Sequence, residues 1–73
     1  MGQLTAVFEQ RPDGWWVAYI EEVPGVNTQG LTQDEARENL REALVLVLET
    51  NREIARERDA GREVIREPFA LAS

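Results

Sequence analysis

The chain has no cysteine, no histidine and no lysine. Without cysteine no disulfide can staple the fold, and without cysteine or histidine the usual zinc sites are excluded. Losing all three residue types also removes most general bases and nucleophiles, so no catalytic activity is expected. No run of about 18 apolar residues is present to cross a membrane, and no basic-then-apolar leader opens the chain, so a cytoplasmic location is expected. Positive charge is scarce: eight arginines stand against fourteen acidic residues, a net charge of −6. Such an excess repels phosphate backbones, which argues against direct nucleic-acid binding and makes a basic protein the easier partner. Solubility alone also accounts for it.

What is present is one small domain, residues 1–73, organised around one helix. Residues 31–59 place Ala36, Leu40, Ala43, Leu44, Val47, Asn51 and Ile54 on one stripe at about 100° per residue, the period of an amphipathic helix. Thr32 and Glu35 predict a capping box, in which Thr32 accepts from the Glu35 amide and the Glu35 carboxylate reaches back to the Thr32 amide. Gly61 is the expected stop. Asp34–Arg37, Glu38–Arg41, Glu49–Arg52 and Glu53–Arg56 are spaced as ion pairs along the solvated side.

Before the helix the pattern is of strands. Residues 4–9 alternate, and 11–14 (Arg-Pro-Asp-Gly) form a turn that uses Gly14 for a positive φ. Residues 15–20 are rich in aromatic and β-branched side chains and read as the central strand. Pro24 and Gly25 hold the second and third positions of a type II turn. Residues 26–29 make a short third strand, and Gly30 lets the chain swing into the helix. After Gly61, residues 64–66 predict a fourth strand, ended by Pro68. The result is an α+β fold, β-β-β-α-β in two layers: a four-stranded sheet of order 3-2-1-4, with the fourth strand parallel to the first and the helix on one face.

Gly14-Trp15-Trp16-Val17-Ala18, the run from Val23-Pro24-Gly25-Val26 through Asn27-Thr28-Gln29-Gly30, and Leu31-Thr32-Gln33-Asp34-Glu35-Ala36 together resemble the HicB-like antitoxins. Asn39-Leu40-Arg41-Glu42-Ala43-Leu44 extends the match, which covers roughly residues 13–48. The resemblance implies a partial ribonuclease H fold and the antitoxin half of a pair, whose toxin is a small basic ribonuclease with a double-stranded-RNA-binding-like fold. The chain departs from the family in having Glu21 where a proline is common and Val26 where a cysteine is common. It also ends at Ser73, so the C-terminal DNA-binding domain that many members carry is not expected.

With Trp16, Ala18 and Ile20 toward the helix, Trp15, Val17 and Tyr19 face the other way, joined by Thr5 and Val7. An open face of this kind calls for cover. A second copy, the 69–71 segment (Phe-Ala-Leu) or a toxin is the expected cover. Trp15 and Tyr19 are the candidate anchors for a toxin, with Glu9, Glu21 and Glu22 as acidic steering groups. Val7, Val17, Val45 and Leu46 are the candidate contacts of a homo-oligomer, a dimer or tetramer. Self-association suits a chain this short, whose core supplies only about 3–5 kcal/mol unaided. A ribonuclease H centre would need carboxylates converging on metal ions, and Glu9, Glu21 and Glu22 are not spaced to meet a helix acid. No cofactor or metal is expected. The chain therefore reads as a non-catalytic antitoxin domain that masks a basic ribonuclease, with an orphan self-associating module of the same fold as the alternative.

Overall fold

The structure, a computed structural model, describes residues 3–70. Three strands form first: β1 (Ala6–Gln10), β2 (Trp16–Ile20) and β3 (Asn27–Gly30). They make an antiparallel sheet in the order β1-β2-β3. Both connections are tight. Gly14 donates to the Arg11 carbonyl (2.9 Å) and Val26 to the Val23 carbonyl (3.4 Å). Gly14 and Gly25 take φ of 95° and 88°, a region where a side chain would be strained, as the two turn sequences predict.

Helix α1 (Gln33–Arg58) follows, with Thr32 as its N-cap. The Thr32 hydroxyl accepts from the Glu35 amide at 3.0 Å. The return bond of the capping box differs from expectation: the Glu35 carboxylate accepts from the Leu31 amide (3.3 Å), one residue earlier. Asp59 is the C-cap, its amide donating to the Ala55 carbonyl, and Gly61 at φ 79° turns the chain just beyond it.

The layers meet in a small core of Ala18, Ile20, Val26, Ala36 and Leu40, flanked by Phe8, Trp16, Val23, Ala43, Leu44 and Val47. Helix and sheet are tightly apposed at Gly30, where a Cβ would lie 2.6 Å from the Ala36 nitrogen. Asn39 pins the helix to β3 by donating its side-chain amide to the Gln29 carbonyl at 2.9 Å.

Two expectations fail beyond Val47. Asn51 and Ile54, on the predicted core stripe, are exposed, Ile54 by 54%. No strand forms at residues 64–66, so the described sheet has three strands rather than four. The reason is length: the 26-residue helix runs about 39 Å over strands of about 17 Å. It carries the chain past the sheet and leaves the tail at the helix tip. Of the expected helix ion pairs, Asp34–Arg37 (2.6 Å) and Glu38–Arg41 (3.1 Å) form. Past Val47, Arg58, Arg62 and Arg66 gather on Asp59 instead, at 3.7, 3.2 and 3.4 Å. Among the described residues no helix is long and apolar enough to cross a membrane.

Candidate functional site

The sheet face turned away from α1 is the candidate site, and strand register builds it row by row. Paired residues of antiparallel neighbours share a face. Glu9 pairs with Val17 and Val17 with Gln29, giving one row across the three strands. Val7 pairs with Tyr19 and Tyr19 with Asn27, giving the next. Arg11 and Trp15 close one end, the Arg11 amide donating to the Trp15 carbonyl at 2.7 Å. Thr5 and Glu21 close the other, the Glu21 amide donating to the Thr5 carbonyl at 2.9 Å.

An apolar column therefore runs down the middle strand, Trp15–Val17–Tyr19, with amides on the β3 side and Val7 and Glu9 on the β1 side. Trp15 is 37% and Tyr19 46% exposed, and Val7 and Val17 are half-buried. A shallow depression lies over the β2–β3 half, lined by Arg11, Val17, Tyr19, Asn27 and Gln29. Phe69 does not cover this face; it is 92% exposed. Leu71 of the same segment lies outside the described residues.

The acidic candidates divide. Glu9 and Glu21 are exposed on the open face. Glu22 is engaged: its two carboxylate oxygens accept from the Thr5 amide and the Thr5 hydroxyl, each at 2.7 Å. Those bonds, the backbone one foremost, hold its pKa below the ordinary glutamate range. It latches the start of β1 to the end of β2 and adds its charge to the rim from there. Val45 (50% exposed) and Leu46 (64%) lie on the helix side opposite the sheet, over a shallow depression shared with Arg41, Glu42 and Glu49. They are thus separate from Val7 and Val17, which face the other way. Among the described residues no group of acidic side chains is arranged to hold a metal ion.

Sequence reasoning missed the amides Asn27 and Gln29, although strict alternation places them beside Val17 and Tyr19. It also missed Asp59 as a collector of arginines, for which the i,i+3 spacing of Asp59 and Arg62 was the available signal.

The architecture defines a two-layer α+β domain, one helix on a three-stranded antiparallel sheet, with a mixed apolar and polar face left uncovered by the described residues. The chain belongs to the UPF0150 family. It is 40% identical over 69 residues to a UPF0150 protein of Synechocystis, covering 94% of both chains. A UPF0150 protein of Thermotoga maritima is 46% identical over 47 residues, 63% of each chain. One from Archaeoglobus fulgidus is 33% identical over 52 residues, 71% of this chain and 75% of its own. No family model and no solved structure matches the chain.

Proposed function

We propose that the chain is a HicB-like antitoxin domain, a non-catalytic cytoplasmic protein that binds and masks a small basic ribonuclease toxin through its uncovered sheet face. The observation that carries the reading is the Trp15–Val17–Tyr19 column, bordered by Glu9, Glu21 and the amides of Asn27 and Gln29. A desolvated aromatic centre inside a polar rim is the usual anatomy of a tight protein interface. The net charge of −6 favours a basic partner. The motif resemblance across residues 13–48 supplies the identity of that partner, and the β-β-β-α order agrees with the first part of a ribonuclease H-like domain. The lack of histidine, cysteine and lysine supports inhibition without catalysis.

The test is binding to any small basic protein encoded in a neighbouring reading frame, with the ribonuclease activity of that protein as the readout. Stoichiometric inhibition by the wild type, lost with Trp15→Ala plus Tyr19→Ala, is the expected result. Absence of binding removes the antitoxin reading. The second reading then stands, an orphan self-associating module without a toxin, favoured by the unpaired half of α1.

A further inference from the structure

Helix α1 outruns the sheet it covers. Val47 is the last helix residue packed on the core, and the turns from there to Arg58 project about 16 Å. The stripe continues onto this projection through Asn51 and Ile54 with no strand of the described sheet beneath it; Ile54 is 54% exposed, and Leu48, on the flank of the stripe, is 47% exposed. The radius of gyration is 15.7 Å, with extents of 52 × 28 × 15 Å, against about 11 Å for a compact chain of this length.

The tail is held at the helix tip. Arg62 and Arg66 both donate to the Asp59 carboxylate, at 3.2 and 3.4 Å. Between them Val64 and Ile65, a β-branched pair suited to a strand, are exposed, Ile65 by 92%. Retracing the projection to reach β1 of the same copy would use about five extended residues. That consumes residues 62–66 and leaves nothing to pair before Pro68. Meanwhile the outer edge of β1 is unpaired in the described sheet.

We propose that a second copy of this chain occupies the projecting half of α1, and that the two copies exchange tails. Laid antiparallel, the projecting halves bury Leu48 and Ile54 of one copy against those of the other. α1 runs from the Gly30 end of the sheet to the Ala6–Ile20 end, where Leu40 and Leu44 lie beside Ala6 and Ile20. Each helix tip therefore arrives where the other copy's β1 begins. Residues 64–66 then add to that β1 as a parallel fourth strand, completing in the dimer the sheet that one chain leaves unfinished.

Charge permits the pairing. Residues 49–73 hold six acidic residues and five arginines, a net −1, whereas residues 1–48 hold eight and three, a net −5. The projecting ends meet almost without repulsion, and the acidic sheet ends stay apart. Area requires the tail. A helix half about 16 Å long and 10 Å wide buries a few hundred Å² per copy, short of the roughly 800 Å² of a standard stable interface.

The cysteine-free chain allows a direct test in the whole 73-residue chain. Val7→Cys chains are mixed with Ile65→Cys chains and treated with a short bismaleimide. A covalent dimer joined through the two introduced thiols is expected. Crosslinking inside a doubly substituted chain, with no product from the mixture, overturns the exchange. Light scattering supplies the second arm. Ile54→Asp, and separately a chain ending at Gly61, should each weaken dimerisation at least about tenfold while circular dichroism shows the helix intact. A wild type that is monomeric at micromolar concentration overturns the proposal. So does a dimer broken by Tyr19→Asp and untouched by Ile54→Asp, which would place the second copy on the open sheet face.

Discussion

Gly30 sets the distance between helix and sheet. It has no positive φ, so flexibility is not its role; it is there because the Ala36 backbone would lie 2.6–3.0 Å from any Cβ. Gly30→Ala should lower stability by about 2 kcal/mol, since backbone cannot move aside as a side chain can. Urea denaturation checks this, and an unchanged midpoint would mean the helix start is not seated there. The sequence pointed to the right residue for the wrong reason, because the contact exists only once both layers are assembled. Gly25 was legible because its constraint is local to the Pro-Gly turn, and Gly25→Val should be strained at φ 88°. Glu22 is the reverse case: two bonds from Thr5, 17 residues away, make an exposed acid a latch as well, which local sequence does not show. Its folded-state pKa is lowered, so its contribution is present at neutral pH and is lost as pH falls through that lowered value. The stability difference between wild type and Glu22→Gln should accordingly shrink on acidification below the ordinary glutamate range. A difference constant with pH would show that the latch does not depend on charge.

At the scale of elements, what the sequence states well is what an element does to itself. The alternation in β1, the 3.6-residue period of α1 and the Thr32 cap are all local, and all three are found. Thr32→Ala should lower stability by about 1 kcal/mol, the usual value of an N-cap, read from the thermal midpoint. Periodicity does not state how far the partner layer extends. The stripe from Ala36 to Ile54 is continuous in sequence, yet the sheet beneath it stops near Val47. The missing fourth strand has the same origin, since residues 64–66 have strand composition and no edge of their own within reach. Leu40, 3% exposed, and Ile54 should therefore respond differently to truncation. Leu40→Ala should cost about 2–5 kcal/mol at any protein concentration. Ile54→Ala should lower the thermal midpoint only at concentrations where the chain associates. Equal, concentration-independent losses would place Ile54 in the monomer's own core.

Across the whole molecule, charge and apolar surface are divided between two ends. The sheet end carries most of the net negative charge and the Trp15–Val17–Tyr19 column; the helix tip is nearly neutral and carries Leu48, Ile54, Ile65 and Phe69. The open face was legible from alternation in β2, while the division between ends was not, because it depends on where the helix leaves the sheet. If the sheet end docks a basic ribonuclease, two separable terms govern the complex. Carboxylates at the rim act at long range and are screened over about 8–10 Å at physiological ionic strength. Raising salt should therefore slow association and leave dissociation nearly unchanged. Trp15 and Tyr19 act after contact, by filling space and excluding water, so replacing either with alanine should speed dissociation and leave association nearly unchanged. Surface plasmon resonance at several salt concentrations separates the two. Because the proposed assembly uses the projecting half of α1 and the outer edge of β1, whereas Trp15 precedes and Tyr19 belongs to the middle strand, both variants should retain wild-type oligomeric state, which light scattering checks first. Tight binding with dissociation unaffected by either substitution would move the docking surface off the sheet, and the exposed helix side at Val45 and Leu46 would be the next surface to test.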